Sequence, residues 1–304
     1  MSQQPIATVR SCPTPRPSPQ PGGPHNRILG GLTPQGRARL AATLQPVTFA
    51  LGDVLCEPGE RMEYVYFPTT SVVSMVYTME DGASAEMGLA GSDGVVGVAV
   101  FLGGDSTTNR AVVLVGGGAL RMKARALREE FAAGGLLQRL LLRYTQALIT
   151  QVAQTAVCNR LHAVEQRLCR WLLMCQDRVQ ASELEMTQEF ISQMLGGRRE
   201  TVTVAAGRLQ DAGLIRYARG HISIIDRKGL ESAACECYAV VKAEFERLKT
   251  TTGTSCLNAA LCRIRAALAI TPAGGPPSVT RIRSGPCRRA WSTASSSFRA
   301  GSTR

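Results

Sequence analysis

Histidine is scarce in this chain, with three in 304 residues. No apolar run approaches the ~18 residues needed to cross a bilayer, so a transmembrane protein is not expected. His25, His162 and His221 are a poor supply of axial ligands for a haem. A charged-then-apolar leader is missing at the N-terminus, so export is not expected and a cytoplasmic setting is. Missing too are Gly-x-x-x-x-Gly-Lys, Gly-x-Gly-x-x-Gly after a strand, Gly-x-Ser-x-Gly and His-Glu-x-x-His. No enzyme is therefore expected, and His162 with Glu165 three residues on reads as a surface contact.

Acid is absent from both ends. Residues 1–30 carry Arg10, Arg16 and Arg27 with no acid, and residues 251–304 carry eight arginines with no acid. Of the net +12, only +1 is left for residues 31–250. The bulk charge belongs to the ends and says little about a folded body. Ten cysteines are few for this length and irregularly spaced. Reduced thiols serving as small buried apolar side chains are the expectation. Cys56 stands far from Cys158, Cys169 and Cys175, and Cys235-Glu-Cys237 is too short for the usual Cys-x-x-Cys bracket. No metal site and no cofactor are expected.

Four segments follow. Residues 1–27 form a head with seven prolines, unable to bury enough surface to offset its chain entropy and read as disordered. A motif for a Pro-reading partner domain is the alternative there. Residues 28–158 form the first domain. It opens with a short helix over 28–44, in which Thr33 caps and Pro34 takes the first helical position. From 46 to 125, β-branched and aromatic clusters alternate with turns. Asp81-Gly82 marks one hairpin, and Gly116-Gly117-Gly118 between Arg110–Val115 and Ala119–Met122 marks another. Many short strands predict a β-sandwich of jelly-roll type. Residues 126–157 return to a helical period, with Leu137, Leu140, Leu141, Tyr144, Leu148 and Val152 on one stripe. Such a helix is too long for a small sandwich to cover, and its stripe is expected to pair with a second copy.

Residues 159–249 form the second domain, with a helix over 163–178 and a closing helix over 230–249. Between them, Thr187 caps a helix, with Met186 and Ile191 as a hydrophobic staple. Gly196-Gly197 ends it, and a second helix over 198–212 buries Val202, Ala205 and Leu209. That helix exposes Arg198, Arg199, Glu200 and Thr203, and Gly213 closes it. Strands over 214–217 and 222–225 flank Arg219-Gly220. This is a helix-turn-helix with a wing, and its recognition helix is shaped for a DNA major groove. Residues 187–228 carry seven Arg/Lys against four Asp/Glu, unlike the near-neutral body. The basic segment 250–304 fits neither domain. It reads either as translation in a shifted frame beyond about Leu248 or as a nucleic-acid-binding tail.

The run Gly196-Gly-Arg-Arg-Glu-Thr-Val202 resembles the recognition segment of the Crp/Fnr family of bacterial transcription regulators. The order of sandwich, long helix and winged domain is also that family's, over roughly residues 28–249. The resemblance implies an α+β fold, with a cyclic-nucleotide-binding-like jelly-roll, a dimerisation helix and a winged helix-turn-helix. It implies a homodimeric regulator on a pseudo-palindromic double-stranded DNA site, with RNA polymerase as a further partner and no membrane. Base reading falls on Arg199 and Glu200, and phosphate contacts on Thr187 and Thr201. Gln188, Arg198 and Thr203 complete the expected DNA-binding set. A third base-reading position falls on Val204, which cannot donate a hydrogen bond, so the preferred DNA sequence should differ. Where nucleotide-binding members place a ribose-holding Glu, Val98 follows Gly97 here, and Arg110 stands near the position of the phosphate-pairing Arg. Cyclic-nucleotide binding is thus not favoured, and the small-molecule effector is unknown. The other alternative is a ligand-independent dimerisation protein without specific DNA recognition.

Overall fold

The computed structural model describes residues 26–179, 183–218 and 220–248. The readings of the Pro-rich head over residues 1–25, of the basic tail and of Arg219 lie outside the described residues. The fold is α+β, as expected. Two short helices open it, α1 (Arg27–Gly30) and α2 (Pro34–Ala41). The single helix expected over 28–44 is thus corrected. Thr33 starts a new helix by accepting the Gly36 N–H, with Pro34 behind it, and Leu44 already belongs to a strand.

Seven strands follow: β1 (Leu44–Phe49), β2 (Val54–Cys56), β3 (Tyr64–Pro68), β4 (Val72–Thr78), β5 (Ser84–Ala90), β6 (Arg110–Val115) and β7 (Gly117–Lys123). They form two sheets, ordered β1-β7-β3 and β2-β6-β4-β5. The Asp81-Gly82 hairpin joins β4 to β5 as expected. The hairpin expected at Gly116–Gly118 does not form. β6 pairs with β2 and β4, whereas β7 pairs with β1 and β3, so the chain changes sheet at these glycines. The reason is close approach. A Cβ on Gly117 would meet Thr70 Oγ1 at 2.7 Å and the Ser71 backbone N at 2.8 Å.

The helix expected over 126–157 is two helices, α3 (Ala124–Ala132) and α4 (Leu136–Leu161). Gly134 and Gly135, at φ 76° and 88°, separate them. At 26 residues α4 extends about 39 Å. It leads through His162 and Ala163 into α5 (Val164–Gln176), strand β8 (Glu183–Glu185), α6 (Gln188–Leu195) and α7 (Arg199–Asp211). Strands β9 (Ile215–Ala218) and β10 (His221–Ile224) make the wing, and β8 adds a third strand to it that the sequence reading lacked. The closing helix expected over 230–249 is split into α8 (Arg227–Ala233) and α9 (Glu236–Glu246). Cys235 at the break is the residue from which α9 starts.

One hydrophobic core runs through both halves, from Ile28 to Phe245. Leu137, Leu140, Leu141 and Tyr144 are buried within the chain. These residues of the expected dimer stripe are therefore consumed internally, against the sandwich, α1, α3 and α9. Among the described residues, no helix is long and apolar enough to cross a membrane.

Candidate nucleic-acid interface

α6 begins at Thr187, whose Oγ1 accepts the Phe190 N–H at 3.2 Å. Met186 and Ile191 are both buried, as a staple requires. Gly196 ends the helix in the left-handed region at φ 59°, and Gly197 N–H donates to Ser192 O. The chain then turns into α7, with Arg198 just before its first residue. Val202, Ala205, Ala206 and Leu209 bury one face of α7. Arg199, Glu200, Thr203 and Val204 lie on the opposite, exposed face, and Arg198 and Thr201 are exposed beside them.

The two halves of the motif are tied across their crossing. Thr203 Oγ1 lies 2.9 Å from both Gln188 Oε1 and Arg199 O. Gln188 is half-buried, so both of these residues are engaged within the chain. Arg198, Arg199 and Glu200 make no ion pair among the described residues. The N-terminal end of α7 therefore presents unpaired charge, and the helix dipole there favours anions. Behind the motif, Tyr217 N–H donates to Gln210 Oε1 at 2.8 Å and Tyr217 OH donates to Met186 O at 3.2 Å, which fixes the wing to α7 and to the residue before the α6 cap.

Two buried polar links fasten the winged half to the sandwich. Trp171 Nε1 on α5 donates to Glu86 Oε1 on β5 at 3.0 Å, and Ser74 Oγ donates to Glu86 Oε2 at 2.7 Å. Burial pushes the Glu86 carboxyl above its usual value, against the pull of those two hydrogen bonds and of Arg170 and Arg178. Arg178, just beyond α5, pairs with Asp93 at 3.2 Å and donates to Gln151 Oε1 on α4 at 2.9 Å. Neither link was visible in the sequence.

The region where a ribose-holding acid was missing is also defined. Gly97 adopts φ 108°, and Val98 lines a cavity of about 170 Å³ between the sandwich and α4. Met62, Met75, Met87, Leu148 and Val152 share that lining, Thr107 and Asn109 supply polar groups, and no charged side chain contributes. Arg110 does not reach it. Its Nε lies 2.8 Å from Glu57 Oε2 at the exposed end of β6.

The six described cysteines are free and buried. Burial pushes the Cys169 thiol up to about 12 and the Cys175 thiol well above its usual value, which suits inert core groups. Three others gather outside the main core: Cys158, Cys235 and Cys237 form a small cluster of their own. Glu165, three residues after His162, pairs with Arg208 rather than with the histidine.

A β-sandwich with an internal cavity, joined by a long helix to a winged helix-turn-helix with an exposed recognition face, is the architecture of a DNA-binding transcription regulator. Residues 46–133 match the family model for a cyclic nucleotide-binding domain, and residues 166–233 match that for a Crp-like helix-turn-helix domain. The chain belongs to the Crp/Fnr family. It is 25% identical over 214 residues to a "CRP-like cAMP-activated global transcriptional regulator" of Mycobacterium tuberculosis, covering 68% of this chain and 96% of that protein. Its fold is shared with FixK2 from Bradyrhizobium japonicum, at 19% identity and TM-score 0.55, covering 63% of this chain and 98% of the other. A CRP-family transcriptional regulator from Thermus thermophilus is similar at 20% identity and TM-score 0.53, covering 62% and 95%. The reading as a dimerisation protein without DNA recognition is not favoured by these relatives.

Proposed function

We propose that two copies of this chain bind a pseudo-palindromic DNA site, each laying α7 in the major groove. The observation that carries this reading is the pair Arg199 and Glu200, exposed and free of ion pairs at the start of α7. Arg199 is suited to donate to guanine, and Glu200 to accept from a cytosine amino group. Val204, 55% exposed on the same face, offers apolar contact to a thymine methyl. Arg198, Thr187 and Thr201 face outward for phosphate, whereas Gln188 and Thr203 chiefly hold the two helices together. The effector half is assigned to 28–158 and the DNA-binding half to 159–249, in a cytoplasmic protein with RNA polymerase as a further partner.

Arg199→Ala is expected to cost about 1–3 kcal/mol on the preferred site and to relax specificity at one base pair. Thr187→Ala should weaken preferred and random DNA alike, because a phosphate contact carries no base information. Binding titrations on both DNAs are the check. Equal weakening of both by Arg199→Ala would make that residue a phosphate clamp instead.

The dimer surface is reassigned within α4. Leu142, Ile149 and Ala156 recur at seven-residue steps on its exposed side, with Leu142 46% and Ile149 57% exposed. Ile149→Glu should remove about 1.5–3 kcal/mol of apolar burial from each protomer, about 3–6 kcal/mol for the symmetric dimer and more than about a hundredfold in its affinity. Light scattering at micromolar chain should then show monomer; an unchanged dimer would place the interface elsewhere. The cavity offers no cation to a cyclic phosphate, and the proposed effector is a small molecule with a mainly apolar surface.

A further inference from the structure

Cys158 and His162 stand one turn apart at the C-terminal end of α4, and Cys235 and Cys237 flank the N-terminal residue of α9. The fold brings these four together although the two pairs are more than seventy residues apart in sequence. Their ligand atoms all lie within 4.8 Å of one another. Cys158 Sγ is 3.5 Å from Cys235 Sγ, and Cys237 Sγ is 3.6 Å from His162 Nδ1. A tetrahedral zinc ion, with Zn–S about 2.3 Å and Zn–N about 2.0–2.1 Å, requires S···S edges of about 3.8 Å and S···N edges of about 3.6 Å. Two opposite edges of that tetrahedron are therefore already in place. The longest edge needs a closure of about 1 Å, within reach of side-chain adjustment.

Three further observations bear on the same spot. Glu236 Oε1 lies 3.4 Å from His162 Nε2, so it can accept that ring N–H and leave Nδ1 facing the thiols, as in carboxylate–histidine–metal arrangements. The cluster meets the end of α4, where the helix dipole favours a cation, and the start of α9, where it favours thiolates. Arg167 is buried, makes no ion pair among the described residues, and has an unpartnered Nε. Its Nη2 donates to Leu195 O, and Cys158 lies close enough to act on its charge.

We propose that Cys158, His162, Cys235 and Cys237 bind a structural zinc ion as a closed Cys3His site. Binding converts three thiols to thiolates and releases three protons, leaving a complex of net charge −1 next to Arg167. Soft sulfur ligands and tetrahedral geometry select zinc over magnesium or calcium. The ion would fasten the end of α4 to α9 across His162 and Ala163, the two residues that join the long helix to the winged half.

The test uses the full-length chain, expressed with zinc, purified under reducing conditions and desalted. Elemental analysis is expected to find one zinc per chain. Cobalt(II) replacing it should give the intense sulfur-to-metal charge-transfer absorption of a tetrahedral thiolate site. Cys237→Ser should weaken metal binding and cut the intensity of that band by about a third or more, since one of three thiolates is lost, and Glu236→Gln should weaken zinc binding about 10–100-fold with the ligands intact. Cobalt spectroscopy on the unaltered chain decides the matter even if Cys237→Ser fails to fold. The proposal is overturned if the unaltered chain retains no zinc and gives no cobalt charge-transfer band. It is equally overturned if non-reducing mass spectrometry finds Cys158 and Cys235 joined as a disulfide in the purified protein. These readouts involve no DNA, so they stand or fall apart from the recognition reading.

Discussion

Trp171→Ala is expected to destabilise the folded chain by about 3–5 kcal/mol, the range for deleting a fully buried large aromatic. Trp171 is 1% exposed and sits where α5 meets the sandwich. The truncation leaves a cavity and also strips the Glu86 carboxyl of one of its two hydrogen bonds. Trp171→Phe separates the two effects, because it keeps most of the volume and loses only the N–H. Its cost should be about 1–3 kcal/mol, the penalty for an unsatisfied buried acceptor. The pH dependence supplies a second signature. Burial raises the Glu86 pKa above its usual 4.5. From there up to the raised value, the folded state holds a proton that the unfolded chain releases, so stability falls as pH rises. Removing the Trp171 hydrogen bond takes away a group that lowers this pKa, and should make that fall larger. Urea unfolding at about pH 5 and about pH 8 measures it. A Phe variant with the parent's pH dependence would mean that Glu86 does not govern this junction.

Asp93→Ala is expected to cost about 3–5 kcal/mol, because it leaves the Arg178 guanidinium buried without its partner. The pair is almost wholly enclosed, at 3% and 6% side-chain exposure. Arg178 keeps its bonds to Met174 O and Gln151 Oε1 and its place 4.7 Å from the Phe245 ring, but none of these carries a full negative charge. Asp93→Ala with Arg178→Met removes both charges. The double variant should recover most of the loss, since a buried pair replaced by apolar groups is often neutral or stabilising. Strictly additive losses in the cycle would show that the two residues act independently. Asp93 lies just after β5 in the sandwich, and Arg178 just after α5 in the winged half. The same cycle read by DNA affinity thus reports how far the two halves move as one.

What the chain revealed of itself followed the range of the interactions involved. The helix-turn-helix was legible because its determinants are local. Thr187 caps within three residues, Gly196 turns the chain, and Val202, Ala205 and Leu209 mark one face by spacing alone. The sheet change at Gly116–Gly118 was misread as a hairpin, since strand pairing depends on partners about seventy residues away. The stripe on α4 was legible as buried, but periodicity does not say what buries it. Leu140 and Tyr144 turned inward, and Leu142 and Ile149 were left outside. The Cys/His cluster escaped the spacing test because its ligands arrive in two pairs from distant helices. The i, i+4 interval of Cys158 and His162, which places both on one face, was the available signal.

The sheet order β1-β7-β3 has a consequence for synthesis. Its central strand is the last of the three to be made, so β1 and β3 leave the ribosome without their sheet partner until residue 123 has emerged, β3 having only the bridge of Tyr66 to Val96 before then. At about 5–20 residues per second, roughly 75 residues of waiting last some seconds, during which two apolar strand edges are open to intermolecular pairing. Long-range closure of this kind also slows refolding from denaturant. The yield of native chain should therefore depend on translation speed and chain concentration more than the stability of the finished fold would suggest.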